Sequence, residues 1–180
     1  MKKLFAVTLV GLCLFYAGCS KKPAIEKEKL VVLHYQGTLA DGSEFDSSRE
    51  EEPLMFIYGA EMMIPGFEAG LAGLREGEKE TITVKAADAY GEYDHDLLIA
   101  VPREQFPPGI TLEPGTQFFM QTPAGTLPVR VTDITDKEIQ MDCNHPLAGK
   151  DLTFAVEILE VRDPTEEDIR LLQARMQGGQ

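Results

Sequence analysis

The residues that could support chemistry fall in short motifs that are rich in aromatic and small side chains. In chain order these motifs are His34-Tyr35-Gln36-Gly37, Ala40-Asp41-Gly42, Phe45-Asp46-Ser47-Ser48, Ile64 to Leu71, Asp88-Ala89-Tyr90-Gly91 and, after a long interruption, Leu152 to Glu157. The sequence has no Gly-rich phosphate loop, no Ser-His-Asp order and no motif of paired acids. Such a set suits a reaction that needs an apolar pocket and a hydrogen-bond donor, and no nucleophile.

The order of these motifs resembles that of the FKBP-type peptidyl-prolyl cis-trans isomerases. With the segment Cys143 to Gly149 after the interruption, the chain resembles the SlyD branch, in which a chaperone domain is inserted in the flap. The resemblance covers roughly residues 30 to 165. It implies an isomerase that acts on unfolded or partly folded, proline-containing polypeptides and uses no cofactor.

Proline isomerisation needs neither a nucleophile nor a proton transfer. The amide must rotate through a twisted geometry against a barrier on the order of 20 kcal/mol. The planar amide is the more dipolar form, so an apolar pocket disfavours it relative to the twisted one. A donor placed for the twisted geometry adds binding that is realised in the transition state.

The resemblance implies a role for eight residues. Tyr90 would present its hydroxyl to the carbonyl of the residue before proline, Phe67 would form the pocket floor and Asp46 would lie at the rim. Catalytic roles fall to Tyr90, Asp46 and Phe45, and substrate contacts to Tyr35, Met63, Ile64, Phe67 and Phe154. Two alternatives stay open: each aromatic residue taken alone could be a core side chain, and Asp46 could be a turn residue that bonds nearby backbone.

A sheet and a short helix are predicted to position these residues. Apolar and β-branched runs predict strands at 30–35, 54–58, 80–85 and 154–159. Apolar residues at positions 67, 71 and 74 predict a short helix. Strands around one short helix give an α+β fold, here an FKBP-like antiparallel half-barrel.

The interruption, residues 92–144, has a pattern of its own. Strands are predicted at 97–102, 117–121, 127–134 and 138–142, with turn residues between them. A structureless loop of this length would be unusual. We therefore interpret the segment as a small, mostly β insert-in-flap chaperone domain.

Outside this insert the chain divides into two parts. The isomerase domain comprises residues 30–91 and 145–162. Residues 163–180 are predicted to form a C-terminal helix and tail, with Thr165 as the helix N-cap and acidic residues in the first turn.

The N-terminus predicts a leader. Met1 to Lys3 is basic, Leu4 to Tyr16 is apolar and too short to span a bilayer comfortably, and Ala17-Gly18-Cys19 looks like a bacterial lipobox. An ordinary secretory signal with a coincidental cysteine is the alternative.

This leader predicts the protein's location. We expect residues 1–18 to be a lipoprotein signal peptide, Cys19 to carry lipid and residues 19–29 to be a tether. The protein would then be anchored to a membrane of the bacterial cell envelope. Ser20, which is not Asp, favours the outer membrane, facing the periplasm, by resemblance to envelope lipoproteins.

Composition limits the partners. The net charge of −13 argues against a nucleic-acid partner, because phosphates call for Lys and Arg. The hydrophobic share of 43% rules out wholesale disorder.

Metal and thiol chemistry are not expected. The three histidines form no ligand cluster, and we interpret Asp94-His95-Asp96 as a solvated turn. Cys143 would be the one unmodified cysteine left after lipidation, and we interpret it as a small buried hydrophobe rather than a reactive thiol.

Three hypotheses for function remain. The first is an isomerase that assists protein folding in the cell envelope, with chaperone activity in the insert. The second is a holdase with a vestigial isomerase pocket, in which apolar insert residues bind clients. The third is a structural lipoprotein on an inactive isomerase fold. The apolar insert positions are Leu97, Ile99, Phe106, Phe118, Phe119 and Met120, and the insert's own core is the alternative for most of them.

Overall fold

The computed structural model describes residues 22–107, 109–122 and 125–178. The predicted signal peptide and the predicted lipidation site Cys19 lie outside the described residues. Within those residues, no helix is long and apolar enough to span a membrane.

Antiparallel strands and two α-helices make up the described fold. The elements are β1 (Leu30–Thr38), β2 (Glu44–Ser47), β3 (Leu54–Ile57), α1 (Pro65–Leu71), β4 (Lys79–Val84), β5 (Leu98–Pro102), β6 (Gln117–Thr122), β7 (Gly125–Ile134), β8 (Glu138–Asp142), β9 (Leu152–Arg162) and α2 (Glu166–Gly178). Short 3₁₀ turns lie at Ala86–Asp88, His95–Leu97 and Arg103–Gln105. The predicted α+β class, with an antiparallel sheet around a short helix, is confirmed.

The first sheet has five strands in the order β2-β1-β9-β4, and β3 pairs with the other end of β1. The long central pair β1 and β9 runs from Leu30 opposite Arg162 to Thr38 opposite Thr153. Apolar residues alternate along β9, so Leu152, Phe154 and Val156 are buried on one face. The pairing brings Tyr35 of β1 directly opposite Val156.

A β-bulge shifts this alternation near the end of β9. Val32 pairs with Glu160 and Leu33 with Ile158, so Leu159 is the extra residue between them. Leu159 is therefore 36% exposed, and Val161 is buried in its place. The sequence placed Leu159 with the apolar residues of the strand, because the extra residue at the bulge is itself apolar and so hides the shift in alternation.

Helix α1 packs on the sheet through Phe67 and Leu71, which are both buried. Two glycines allow this close approach. A Cβ atom at Gly66 would lie 2.4 Å from Val84 Cγ1, and one at Gly70 would lie 2.3 Å from Ile82 Cγ2. The helix begins with Pro65 in its first turn. It ends before position 74, which the sequence included in its apolar pattern.

The second sheet has the order β5-β8-β7-β6 and its own apolar core. Val129, Val131, Ile139, Met141 and Cys143 are buried there. All four strands lie within residues 92–144. The assignment of this segment as a separate inserted domain stays a prediction.

The chain before β1 is already attached to the segment between α1 and β4. Ala24 forms a bridge with Arg75, and Ile25 N–H donates to the Leu74 carbonyl at 2.8 Å. Ile25 is buried because it is the apolar residue in an otherwise polar stretch. The sequence placed residues 19–29 in a tether, whereas the structure fixes the chain from Ala24 onward to the segment between α1 and β4.

The C-terminal helix α2 is held by its N-terminal cap and by one buried side chain. The Asp168 carboxylate accepts from Thr165 N–H at 2.7 Å, and Asp168 N–H donates back to Thr165 Oγ at 3.2 Å. This reciprocal pair caps the helix as the sequence predicts. Leu172 is buried against the rest of the fold, and Arg162 bonds Asp168 through both terminal nitrogens.

Candidate active site

Four aromatic rings from four elements meet on one side of the first sheet. The Phe67 ring of α1 lies 4.8 Å from the Phe154 ring of β9, edge to face. The Tyr35 ring of β1 lies 6.4 Å from Phe67 and 6.3 Å from Phe154. Phe45 of β2 completes the group at 5.7 Å from Phe154, again edge to face. Such tilted contacts are the favourable arrangement for aromatic rings.

The cluster is buried at its base and open towards its edge. Phe67 and Phe154 are buried, and Tyr35 and Phe45 are half-buried. Met63 and Ile64, which lead into α1, are also half-buried and pack against the same core. The structure thus brings together six of the eight predicted site residues, with Phe67 at the base.

Gly37 gives Phe45 its place. A Cβ atom at Gly37 would lie 2.6 Å from Phe45 Cζ, so the ring covers the glycine across the β1–β2 pair. Any larger residue at position 37 would displace the ring. Gly37 belongs to the first motif, but the motif alone did not reveal that the Phe45 ring packs directly on this glycine.

Asp46 is bonded to the cluster through Tyr35. The Tyr35 hydroxyl donates to Asp46 Oδ2 at 2.5 Å, and Asp46 Oδ1 accepts from Ser47 N–H at 2.9 Å. The carboxylate therefore bonds nearby backbone, as the turn alternative expected, and also fixes the phenol. Burial raises the pKa of Tyr35, and the hydrogen bond to Asp46 raises it further. Tyr35 stays a protonated donor.

Ser48 fixes the backbone beside Tyr35. Its buried hydroxyl accepts from Tyr35 N–H at 3.0 Å, and Ser48 N–H donates to the Tyr35 carbonyl at 3.0 Å. His34 Nδ1 lies 3.2 Å from the same hydroxyl. These bonds hold the end of β2 and the start of the following loop against β1, which sets the position of both Phe45 and Asp46.

The structure does not bury Tyr90 with the other aromatic residues. Its side chain is 41% exposed, beyond the 3₁₀ turn Ala86–Asp88. The Tyr90 ring stacks on the ring of His145, with centroids 3.9 Å apart and planes 3° from parallel. Tyr90 is near enough to Tyr35 to add to the rise of its pKa. Sequence reasoning missed His145 as its neighbour, although the motif Cys143 to Gly149 contains it.

Two chain segments that connect the sheets run side by side next to Tyr90. The Asn144 side chain donates to the Asp94 carbonyl at 2.8 Å and accepts from Asp94 N–H at 2.9 Å. Gly149 N–H donates to the Gly91 carbonyl at 2.9 Å. These bonds fasten the segment that leaves the first sheet to the segment that returns to it.

A buried carboxylate joins this connection to the second sheet. Asp142 accepts from Arg130 Nη2 at 2.9 Å and from the Tyr93 hydroxyl at 3.1 Å, and it also bonds Asn144. Burial alone would raise the pKa of Asp142, but the hydrogen bonds from Asn144, Arg130 and Tyr93 outweigh it and lower the pKa. The carboxylate stays charged at neutral pH.

A cavity of about 530 Å³ opens at the same connection, away from the four-ring cluster. Its lining combines residues of the second sheet with residues of the two connecting segments. These include Tyr93, Phe118, Phe119, Pro128, Arg130 and His145. Phe119 is 73% exposed, the most exposed of the large apolar residues that the structure describes.

The described cysteine and the Asp94-His95-Asp96 segment both have structural surroundings that account for them. Cys143 is a free, buried cysteine whose pKa is raised by burial, as the sequence interpretation expected of a buried hydrophobe. The Asp94 carboxylate accepts from Asp96 N–H at 2.8 Å and so caps the His95–Leu97 turn. Among the described residues, no group of three or more His, Cys, Asp or Glu side chains could hold a metal ion.

Comparisons with known proteins match most of the chain. The family described as FKBP-type peptidyl-prolyl cis-trans isomerase matches residues 21–159. The SlyD isomerase of Vibrio cholerae is 39% identical over 155 residues, which are 86% of this chain and 77% of that protein. The SlyD isomerase of Treponema pallidum is 40% identical over 146 residues, 80% of this chain and 83% of that protein.

Two proteins of Escherichia coli are also similar. The SlyD isomerase of strain K12 is 37% identical over 145 residues, 81% of this chain and 74% of that protein. The crystal structure of FkpA aligns with a TM-score of 0.44 and 27% identity. That alignment covers 79% of this chain and 44% of the FkpA chain.

Proposed function

Because this chain belongs to the FKBP-type peptidyl-prolyl cis-trans isomerases, and acts on proline-containing polypeptides, we propose that the four-ring cluster is its proline-binding site. The observation that carries the proposal is the meeting of Tyr35, Phe45, Phe67 and Phe154 over one buried base. The proline ring sits on Phe67, between Tyr35 and Phe45. Met63 and Ile64 contact the rest of the substrate from the loop before α1.

The cluster lowers the barrier by its apolarity. A planar X-Pro amide loses hydration of its dipole when it enters a site walled by aromatic rings, whereas the twisted amide loses less. The pocket therefore binds the transition state better than the ground state. The Tyr90 hydroxyl donates to the carbonyl before proline, which adds a bond to that geometry.

Asp46 acts through Tyr35 in this proposal. No proton is transferred during the rotation, so the carboxylate has no acid–base step to perform. Its bond to the Tyr35 hydroxyl holds that ring upright at the side of the pocket. Asp46 is thus a positioning residue, which differs from the catalytic role that the family resemblance implied.

We also propose that residues 92–144 bind unfolded clients. Exposed Phe119 and Leu97 and the cavity beside Tyr93 support this role, because extended chains offer apolar side chains to such surfaces. The other four apolar positions that we considered pack mainly into the second core: Ile99, Phe106, Phe118 and Met120. Of the six apolar positions that the sequence singled out, only Phe119 and Leu97 are exposed.

For location, we propose a lipid anchor at Cys19 and a place in the bacterial cell envelope, on the periplasmic side of the outer membrane. The basic start, the short apolar run and the small residues before Cys19 support this. The isomerase would then assist the folding of other envelope proteins.

A protease-coupled assay on a short peptide with an apolar residue before proline tests the site. Phe67→Leu should lower kcat/KM at least fivefold, because the proline loses its flat aromatic base. Phe56→Leu is the matched control, since Phe56 of β3 is buried in the same core but lies outside the four rings. Both variants should lose about 1 kcal/mol of stability.

The outcome separates the two functions. Equal activity losses in Phe67→Leu and Phe56→Leu would mean that the cluster is ordinary core. The holdase alternative, which the exposed Phe119 favours, requires that the intact chain give only the uncatalysed rate at micromolar concentration while it still suppresses aggregation of an unfolded protein.

A further inference from the structure

We propose that His145 is a positioning residue for the hydroxyl of Tyr90: its imidazole is the platform that keeps the exposed tyrosine ring in one orientation. The inference rests on the role of Tyr90 under the proposed function. Tyr90 is 41% exposed, so the protein core does not fix its ring. The face-to-face stack on His145, at 3.9 Å and 3°, covers one side of it.

The platform is itself fixed by the turn that follows it. Leu147 N–H donates to His145 Nδ1 at 3.1 Å, and Ala148 N–H donates to the His145 carbonyl at 2.9 Å. Because Nδ1 accepts, the neutral ring carries its proton on Nε2. The imidazole therefore cannot rotate without losing a bond to the backbone.

The turn that follows His145 is also hydrogen-bonded to the segment that carries Tyr90. Gly149 N–H donates to the Gly91 carbonyl, one residue after Tyr90. Gly149 has a φ of +72°, and a Cβ atom there would lie 2.9 Å from Tyr93 Cβ. The two aromatic residues thus stand on backbone segments that contact each other directly.

Orientation matters because the tyrosine contributes a directional bond. A hydroxyl stabilises the twisted amide only when it points at the carbonyl in that geometry. A freely rotating exposed ring spends part of its time in other rotamers, and each of these lowers the rate. The stack removes that freedom before the substrate arrives.

Two substitutions distinguish the contribution of the stacked His145 ring from that of its hydrogen bond to the backbone. His145→Asn keeps an acceptor for the backbone N–H two residues on, as Asn does in Asx turns, but it removes the stacked ring. His145→Phe keeps a flat ring and removes the acceptor. We expect kcat/KM for a short X-Pro peptide to fall about fivefold in His145→Asn and to stay within about twofold in His145→Phe.

A double-variant cycle with Tyr90→Phe tests whether His145 acts through the hydroxyl. Tyr90→Phe should lower kcat/KM, and adding His145→Asn to it should cause no further loss, because no hydroxyl is left to orient. A purely structural role for His145 would give losses that multiply. Ring-proton NMR shifts of Tyr90 give a second readout, since stacking moves them upfield in the intact chain and in His145→Phe but not in His145→Asn.

Each result supports or overturns the inference. Equal losses in His145→Asn and His145→Phe, multiplying losses in the cycle, or full activity in His145→Asn would overturn it. If Tyr90→Phe alone keeps full activity, the proposed role of Tyr90 fails and the inference fails with it. If His145→Asn does not fold, as judged by thermal unfolding, His145→Leu removes the aromatic face while keeping apolar bulk and is held to the same outcomes.

Discussion

At the scale of single residues, the pair of Tyr35 and Asp46 shows how a charged group can serve an apolar site. The carboxylate is exposed, so its interaction with the phenol is screened by water. Its main effect is geometric: the 2.5 Å bond fixes the hydroxyl of a ring that also packs against Phe154. Without this bond, the O–H group of the half-buried Tyr35 would be an unpaired donor.

Kinetics can distinguish positioning of the Tyr35 ring by Asp46 from a direct effect of the Asp46 charge on the substrate. Asp46→Asn keeps an oxygen that can accept from the Tyr35 hydroxyl, whereas Asp46→Ala removes it. We expect kcat/KM for a short X-Pro peptide to fall less than threefold in Asp46→Asn and about tenfold in Asp46→Ala, which corresponds to a hydrogen bond of about 1.4 kcal/mol. If the neutral amide costs as much as alanine, the charge itself acts on the substrate, and the positioning role is wrong.

The sequence predicted the residues of the four-ring cluster but not all of the contacts around it. Tyr35, Phe45, Phe67 and Phe154 are aromatic residues in motifs with a recognised order, so their convergence could be expected. The stack between Tyr90 and His145 could not, because residues 92–144 separate the two residues in sequence. Contacts of this kind depend on how a turn is closed, and side-chain type alone does not encode that.

At the scale of elements, local patterns predicted types better than ends. The alternation in β9 predicted a strand, but the bulge at Leu159 was hidden because the extra residue is itself apolar. The apolar spacing of α1 predicted a helix, and its end came early because residue 72 is extended and Gly73 has a φ of +80°. Backbone geometry, which the sequence encodes weakly, decided both the bulge in β9 and the end of α1.

The second sheet is also expected to respond to acid through Asp142. The lowered pKa of this carboxylate means that its charged form is favoured by folding, so its contribution is present above the ordinary value of 3.8 and is lost as pH falls. In Asp142→Asn the melting temperature should be lower than in the unchanged chain at pH 7. The gap should narrow as pH falls from about 5 to about 3.

Thermal unfolding followed by circular dichroism at several pH values measures this gap. Asp133→Asn is the matched control, because Asp133 is an exposed carboxylate on the same sheet. Its curve should run close to that of the unchanged chain. A gap for Asp142→Asn that is constant from neutral to acidic pH would show that charge at this position does not contribute to stability.

The placement of the second sheet leads to a prediction about substrates. Its connecting segments run beside Tyr90, so a client held there keeps its prolines near the pocket at an effective concentration of roughly millimolar. A short peptide is too small to touch both places. Replacing residues 92–144 by a short linker should therefore leave peptide isomerisation within about tenfold and slow proline-limited refolding of a whole protein far more.

A point variant makes the same comparison without a deletion. Phe119→Ser should slow protein refolding and leave peptide isomerisation unchanged, because Phe119 is 73% exposed and lies outside the four-ring cluster. Met176→Ser on α2, also an exposed apolar residue, is the control that should change neither rate. Equal loss of both activities on replacement of residues 92–144 would mean that the segment supports the pocket and does not tether clients.

At the scale of the whole molecule, charge and attachment bear on where the protein works. The net charge of −13 favours the solubility of a chain with exposed apolar residues and disfavours its self-association. The chain is already fixed to the fold at Ala24, through its bridge to Arg75, so few residues lie between that point and Cys19. Since extended chain spans about 3.5 Å per residue, a lipid on Cys19 would hold the isomerase within about 20 Å of the membrane surface.

The anchor is the prediction on which that geometry depends. Mass spectrometry of the protein isolated from a bacterial host should find a mature N-terminal peptide that begins at Cys19 and carries acyl chains. Cys19→Ser should abolish the acylated peptide, because the hydroxyl does not replace the thiol as the acceptor of lipid. Cys13→Ser is the matched control, since Cys13 would leave with the leader, and its mature peptide should be unchanged. An unmodified N-terminus, or cleavage at another position, would refute the anchor.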